Sequence, residues 1–261
     1  MPPTGKRAFR FILSGANDGA VNMAIDEAVM TGIREGGSTP VLRLYTWNPP
    51  AISLGYFQSA GDIDFSACGN DGIGVVRRIT GGRAVLHSDE ITYSILFGEE
   101  DFTPFRMKEI FLFIAQCLVD SLRILGIDSK IAEKTKGSLK SPNCFASPAQ
   151  YEIESVRQGK LIGSAQVIKD GVVLQHGAIP LTGSYREISK YLRGDKSFKS
   201  ASSLSQVSPA GSCEDGLIES LREGFSRHLP IQDGALNERE AGLTKELAVS
   251  KYSHPDWMFR K

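Results

Sequence analysis

The sequence predicts an α+β protein built on a mixed, largely antiparallel sheet with helices packed against it. The first reason is a set of short apolar, β-branched runs closed by turn residues, among them Lys169-Asp170-Gly171, a strong hairpin signal. The second is a pair of longer stretches, near residues 18–36 and 103–126, whose apolar residues recur at helical spacing. The third is size. A chain of 261 residues, 41% hydrophobic, holds one large domain or two small ones around a real core. No repeat or clean linker divides it, so residues 1–261 are expected to form one domain, with 185–261 a mostly helical C-terminal part.

In chain order, residues 9–13 read as a strand. Asn17 or Asp18 then caps a helix in which Val21, Ala24, Ile25, Ala28 and Val29 form an apolar stripe that stops near Gly36-Gly37. Asp26 and Glu27 on this helix read as a solvated or salt-bridged face. Residues 41–45 and 51–54 are strands separated by the breaker-rich Thr46-Trp47-Asn48-Pro49-Pro50. Tyr56 and Phe57 follow, as core packing or as the lining of an apolar ligand channel. Residues 73–79, 84–86 and 91–97 are further strands. Thr103 and Pro104 are expected to cap and open a helix that buries Ile110, Ile114, Cys117 and Leu118 and ends at Gly126. Residues 134–148 have no period and two prolines, and read as a loop. A three-stranded meander (151–156, 161–168, 172–176) comes next. Helix candidates at 187–192, 217–228 and 238–249 complete the chain around a serine-rich connector, and Trp257 reads as a packing anchor.

Composition narrows the function. Lys+Arg and Asp+Glu both number 30, so no global field favours nucleic acid or an anionic membrane. No apolar run reaches the roughly 20 residues that span a bilayer. The four cysteines contain no Cys-x-x-Cys pair, which gives neither a zinc site nor a disulfide framework. No metal is expected, and the cytoplasm is the expected location.

Chemistry concentrates in a few places. Arg77-Arg78-Ile79-Thr80-Gly81-Gly82-Arg83 brings arginines to a backbone without side chains, where a ligand reaches main-chain N–H groups and forked cationic donors. The plain alternative is a tight turn with surface arginines. Cys144 is the only cysteine in an aperiodic, proline-flanked loop, where a nearby cation would favour the thiolate. Against that stands a small residue tucked beneath the loop. Lys160 opens a strand just before Gly163-Ser164-Ala165, small residues that leave room beside the backbone. It gains a role if the meander folds beside the cysteine loop. His87 and His176 read as hydrogen-bonded structural histidines.

Taken together, Asn22-Met23-Ala24-Ile25-Asp26-Glu27, the Arg77–Gly82 block and the Lys160–Ala165 segment resemble the lipoate-protein ligase A/octanoyltransferase family, related in fold to biotin protein ligases. The resemblance covers residues 11–180 and, more faintly, the terminal Lys251-Tyr252 and Trp257. Family ligases use free lipoate and ATP, typically with a third glycine where Arg83 stands here, and many carry an accessory domain that is not evident in this chain. Cys144-Phe145-Ala146-Ser147-Pro148, Gly163-Ser164-Ala165-Gln166 and Leu174-Gln175-His176-Gly177 instead resemble the LipM-type octanoyltransferases. That resemblance implies Cys144 as the acyl-carrying nucleophile and Lys160 as its activating partner. Arg77, Arg78, Gly81, Gly82, His87, Gly163, Ser164 and Ala165 would be substrate-binding. The donor would be octanoyl-acyl carrier protein and the acceptor a lipoyl domain such as glycine-cleavage H protein, with no cofactor and a monomeric enzyme. The competing expectations are an ATP-dependent lipoate ligase, a transferase between lipoyl domains, and a non-enzymatic carrier-binding module.

Overall fold

The computed structural model describes residues 7–132, 152–156, 158–193, 201–208 and 214–260. Along these run β1 (Phe9–Asn17), α1 (Gly19–Arg34), β2 (Val41–Trp47), β3 (Ala51–Leu54), α2 (Phe65–Asn70), β4 (Gly74–Arg77), β5 (Val85–His87), β6 (Glu90–Gly98), α3 (Met107–Ile124), β7 (Ser129–Ile131), β8 (Ile153–Ser155), β9 (Gly159–Lys169) and β10 (Val172–Pro180). Then follow α4 (Leu204–Val207), α5 (Glu214–Ser226), β11 (Ile231–Asp233), α6 (Glu238–Leu247) and α7 (Pro255–Met258). An eight-stranded sheet has the order β11-β1-β2-β6-β10-β9-β8-β7, and a three-stranded sheet has the order β4-β3-β5. Pairing is parallel at β1–β11, β1–β2 and β3–β4 and antiparallel elsewhere, so the expected mixed, largely antiparallel α+β architecture is what forms.

Register decides which side chains meet, because directly paired residues share a face. Arg43, Ser94, His176 and Ala165 stand in one row across β2, β6, β10 and β9, and Tyr45, Thr92, Ala178 and Gly163 stand in the next. This face meets α1 and the small sheet. The opposite face carries Leu44, Tyr93, Ile95, Phe97 and Ile179 into a core closed by Ile114, Leu118, Leu221 and Phe225 of α3 and α5. Each such side chain contributes about 1.5–3 kcal/mol by leaving water. Cys117 is fully enclosed there, and burial pushes its thiol well above the ordinary range, so it is the inert core residue expected.

Asp18 caps α1, accepting from the Val21 N–H at 2.8 Å. The Lys169-Asp170-Gly171 hairpin also forms, with Asp170 and Gly171 both left-handed at φ 51° and 74°. Other boundaries move. The helix expected from Thr103-Pro104 begins only at Met107, with Arg106 in the cap position. Phe102 and Phe105 turn back onto Phe97, and the Arg106 N–H donates to the Pro104 carbonyl, so aromatic packing holds this stretch in a turn. The strand expected over 73–79 stops at Arg77, because the Arg78 N–H bonds the Leu54 carbonyl where the chain leaves the sheet. The C-terminal part contributes β11 as well as helices. This short strand is too brief to show a period, and it forms by adding to the edge of β1.

Candidate functional site

The Arg77–Gly82 corner is pinned from several sides. Arg77 is fully buried, and its guanidinium donates to the main-chain carbonyls of Gly55 (2.8 Å), Gln58 (2.7 Å) and Met258 (2.7 Å). Burial, with Arg260 nearby, lowers its pKa. Arg78 turns the other way, donating to the carbonyls of Ser53 (2.8 Å), Gly81 (2.8 Å) and Arg83 (2.8 Å). Thr80 Oγ1 lies 2.6 Å from His176 Nε2, tying the loop to β10. Gly82 has φ +96°, and a Cβ there would meet the Arg78 guanidinium. At Gly55 a Cβ would run into the Gly82 carbonyl, so only glycine permits the two loops to touch.

Between this corner and the sheet lies a small, partly open pocket. Its walls include Arg78, Gly82, His87, Gly163, Ser164 and Ala165, six of the eight residues expected to bind substrate, together with His176. Met23, Tyr45, Trp47, Val85 and Ala178 make the remaining surface largely apolar. Gly81 borders a neighbouring groove. Arg77 lies in neither wall and reaches the site through the loop it holds.

Two polar arrangements fix the pocket's shape. Under α1, Asp26 accepts from Arg43 Nη1 (2.8 Å) and Ser94 Oγ (2.8 Å), and lies 3.4 Å from His176 Nδ1. Arg43 also donates to Asn22 Oδ1 at 2.6 Å, and its guanidinium lies 3.8 Å above the Tyr45 ring. Burial alone would raise the Asp26 carboxyl, but Arg43, His176 and Ser94 together hold it below its ordinary value. Burial lowers the His176 pKa, with Asp26 opposing. Asp26 is therefore salt-bridged, as one of the two expected alternatives had it, but is not a solvated face. Glu27 pairs with Lys251 at 2.7 Å and with the Tyr252 hydroxyl. At the other end, His87 stacks on Trp47 (centroids 4.0 Å, 10° between planes) and is held between Ser53 Oγ (2.8 Å) and Glu90 Oε1 (2.6 Å).

Lys160 is 1% exposed and its ammonium lies 2.6 Å from Glu152 Oε1. Buried and paired, it is not a solvated residue, and it lines neither the pocket nor the groove. Cys144 lies outside the described residues, as does the rest of its loop. Among the described residues no cluster of three or more His, Cys, Asp or Glu side chains could hold a metal ion.

The polar network under α1 is the part sequence reasoning missed. Its signal was there: Arg43 sits inside the apolar run Val41-Leu42-Arg43-Leu44-Tyr45, and Asp26 lies in a helical stretch otherwise rich in buried residues. A charge in such a place needs a buried partner. Tyr56 and Phe57 do not enter the core. They line the neighbouring groove, of about 1270 Å³ with open solvent included, together with Trp257, whose Nε1 donates to the Arg77 carbonyl at 2.8 Å.

The site can be set beside known proteins. The model of the lipoyl protein ligase A/B catalytic domain matches residues 18–226. Octanoyltransferase LipM of Moorella thermoacetica is 40% identical over 273 residues, spanning 97% of this chain and 98% of that protein. Octanoyltransferase LipM of Bacillus subtilis is 35% identical over 277 residues, spanning 98% and 99%. Among solved structures, a lipoate-protein ligase A bound with ATP matches with a TM-score of 0.81 at 26% identity, covering 97% of this chain and 99% of that one. A T. acidophilum protein described as a lipoate protein ligase, with bound lipoic acid, also matches with a TM-score of 0.81 at 26% identity, over 97% and 100%.

Proposed function

The chain belongs to the lipoyl protein ligase A/B catalytic domain family, and from that premise we propose that it transfers an octanoyl group to the lysine of a lipoyl domain in lipoate biosynthesis. It is an acyltransferase. In this reading the donor is an octanoyl thioester on acyl carrier protein, and the acceptor is a lipoyl domain such as glycine-cleavage H protein. The observation that carries the reading is the apolar pocket where Arg78, Gly82, His87 and Gly163–Ala165 converge. An eight-carbon chain gains about 0.8 kcal/mol for each methylene it buries there.

The chemistry runs in two exchanges. The Cys144 thiolate attacks the thioester carbonyl, the C–S bond to the donor breaks, and the donor thiolate leaves. The acceptor's neutral ε-amine then attacks the acyl-enzyme, an amide forms, the Cys144 thiolate departs and the amine proton is released. The first step exchanges one thioester for another at little energetic cost, and the second is downhill. Splitting the transfer means two bulky carriers never dock together. Lys160, with its ammonium held by Glu152, supplies the positive charge that favours the thiolate and the tetrahedral oxyanion. Arg78 and the side-chain-free Gly81-Gly82 backbone position the acyl carbonyl.

Incubating the protein with an octanoyl thioester donor and a lipoyl domain, without nucleotide, tests this. Octanoyl-lysine should accumulate. Product formed only from free octanoate plus ATP would replace this reading with the ligase one, which the likeness to an ATP-bound ligase favours. Product formed only from an octanoylated lipoyl domain would make the protein a transferase between such domains.

A further inference from the structure

His87 is locked from three sides in the pocket wall. Its ring lies flat against Trp47, its Nδ1 is 2.6 Å from Glu90 Oε1, and its Nε2 is 2.8 Å from Ser53 Oγ. Counting donors fixes the hydrogens in this chain. Trp47 Nε1 donates to Thr92 Oγ1 at 2.8 Å, and the Thr92 hydroxyl donates in turn to Glu90 Oε1 at 2.6 Å. The Glu90 carboxylate only accepts, so His87 carries its hydrogen on Nδ1 and presents a lone pair at Nε2. The Ser53 hydroxyl donates to that lone pair. Arg78 Nη1, donating at 3.0 Å, occupies one of the two lone pairs of Ser53 Oγ and leaves the other open. Ser53 and His87 both line the pocket, next to Arg78, which positions the acyl carbonyl in the octanoyl-transfer reading. We propose that Ser53 and His87 remove the proton of the acceptor amine in the second exchange, and that Glu90 is the positioning residue that readies His87 for it. This rests on that reading and deepens it.

Only the second exchange needs such a group. In the first, one thiolate arrives, another departs and no proton moves. In the second, the lysine nitrogen becomes positively charged as it bonds the acyl carbon, and it sheds a hydrogen before the amide forms. That proton passes to the open lone pair of Ser53 Oγ, and the Ser53 hydrogen passes to His87 Nε2. The imidazolium gives up its extra proton to water once the product leaves. Lys160 is placed for a different task, since it is already an ammonium against Glu152 and lines neither cavity. Glu90 makes the route favourable. It is 3% exposed, its one ion-pairing partner among the described residues is His87, and its Oε2 is enclosed without a hydrogen bond among them. A buried carboxylate held by neutral donors alone is under-satisfied, and an imidazolium beside it supplies the missing charge. The same order of groups, hydroxyl to imidazole to carboxylate, moves protons in enzymes with a Ser-His-acid triad.

The test separates the two exchanges by rapid quench. Octanoyl-enzyme formation is followed with an octanoyl thioester donor, and its discharge with a lipoyl domain. In Glu90→Gln the side-chain amide donates to Nδ1 and moves the imidazole hydrogen to Nε2. Discharge should then slow about 100-fold while loading changes far less. Glu90→Asp, which keeps an accepting carboxylate, should recover part of that loss. Ser53→Ala should slow discharge about tenfold, since a water molecule can stand in for the hydroxyl. The wild-type protein gives a check that needs no variant. Nitrogen NMR of its four histidines should show His87 protonated at Nδ1 and bare at Nε2. Equal slowing of both exchanges, unslowed discharge in Glu90→Gln, or a hydrogen on His87 Nε2 would overturn the assignment. So would an octanoyl ester on Ser53, which would make the serine a nucleophile. Wild-type protein that loads from no octanoyl thioester would instead remove the octanoyl-transfer reading itself.

Discussion

Arg77 and Arg78 are neighbours in the chain and serve opposite sides of it. Arg77 is spent on main-chain carbonyls of the 55–58 loop and the C-terminal segment, behind the pocket. Arg78 closes around the glycine loop and enters the pocket wall. A pair of adjacent arginines suggests a double clamp on one anion. The geometry shows a division of labour instead, in which one cation builds the wall and the other presents it. A guanidinium does both well because its planar fork satisfies several acceptors at once.

Substitutions can break this division, and the largest effect belongs to Arg77. Arg77→Ala strands the buried carbonyls of Gly55 and Met258 and the part-buried one of Gln58, and should cost about 3 kcal/mol of stability. Urea unfolding measures that, and limited proteolysis should cut first near the released C-terminus. Arg77→Lys should rescue little, since one ammonium cannot span these carbonyls. Equal stability in Arg77→Ala would show that the wall stands without it. Arg78→Ala should leave more of the stability and lose more of the activity, with kcat/KM down about 100-fold from a displaced glycine loop. If the two alanine variants shift stability and activity in the same ratio, the contrast between them is wrong.

Lys160 sharpens the comparison, because its partner is a side chain. Glu152→Gln keeps the shape but removes the carboxylate that holds the Lys160 ammonium in place at 2.6 Å, and should slow acyl-enzyme formation about tenfold by releasing it from that position. Stopped-time loading with an octanoyl thioester reads this. The smallest effect concerns His176, which anchors Thr80 of the loop. Its folded pKa is lowered from 6.5, so on acidification the unfolded chain takes up the proton first. Its contribution is complete above pH 6.5 and is lost as the pH falls below it. Asp26, lowered from 3.8, adds a second loss only below that value. Between pH 7.5 and 5, stability should therefore decline on account of His176, with the slope removed in His176→Asn. An unchanged slope would shift the titration to another group.

Much of the pocket was legible in the sequence. The glycine pair, the run of small residues after Lys160 and the Asp-Gly hairpin all mark local backbone needs, and local needs survive in local sequence. Elements that exist only through pairing left no such trace. The strand Ile231–Asp233 forms because β1 offers an open edge, and the turn at Phe102–Arg106 because three phenylalanines pack there. The Asp26–Arg43–His176 network joins positions far apart in the chain. The sequence shows each charge to be misplaced among apolar neighbours without naming its partner.

The central claim is a covalent one, and mass spectrometry of the intact protein tests it most directly. After brief exposure to an octanoyl thioester donor without nucleotide, the protein should gain the mass of one octanoyl group. The adduct should map to Cys144, yield to hydroxylamine and be discharged by a lipoyl domain. Full turnover by Cys144→Ala, or an unmodified protein that still makes octanoyl-lysine, would contradict it.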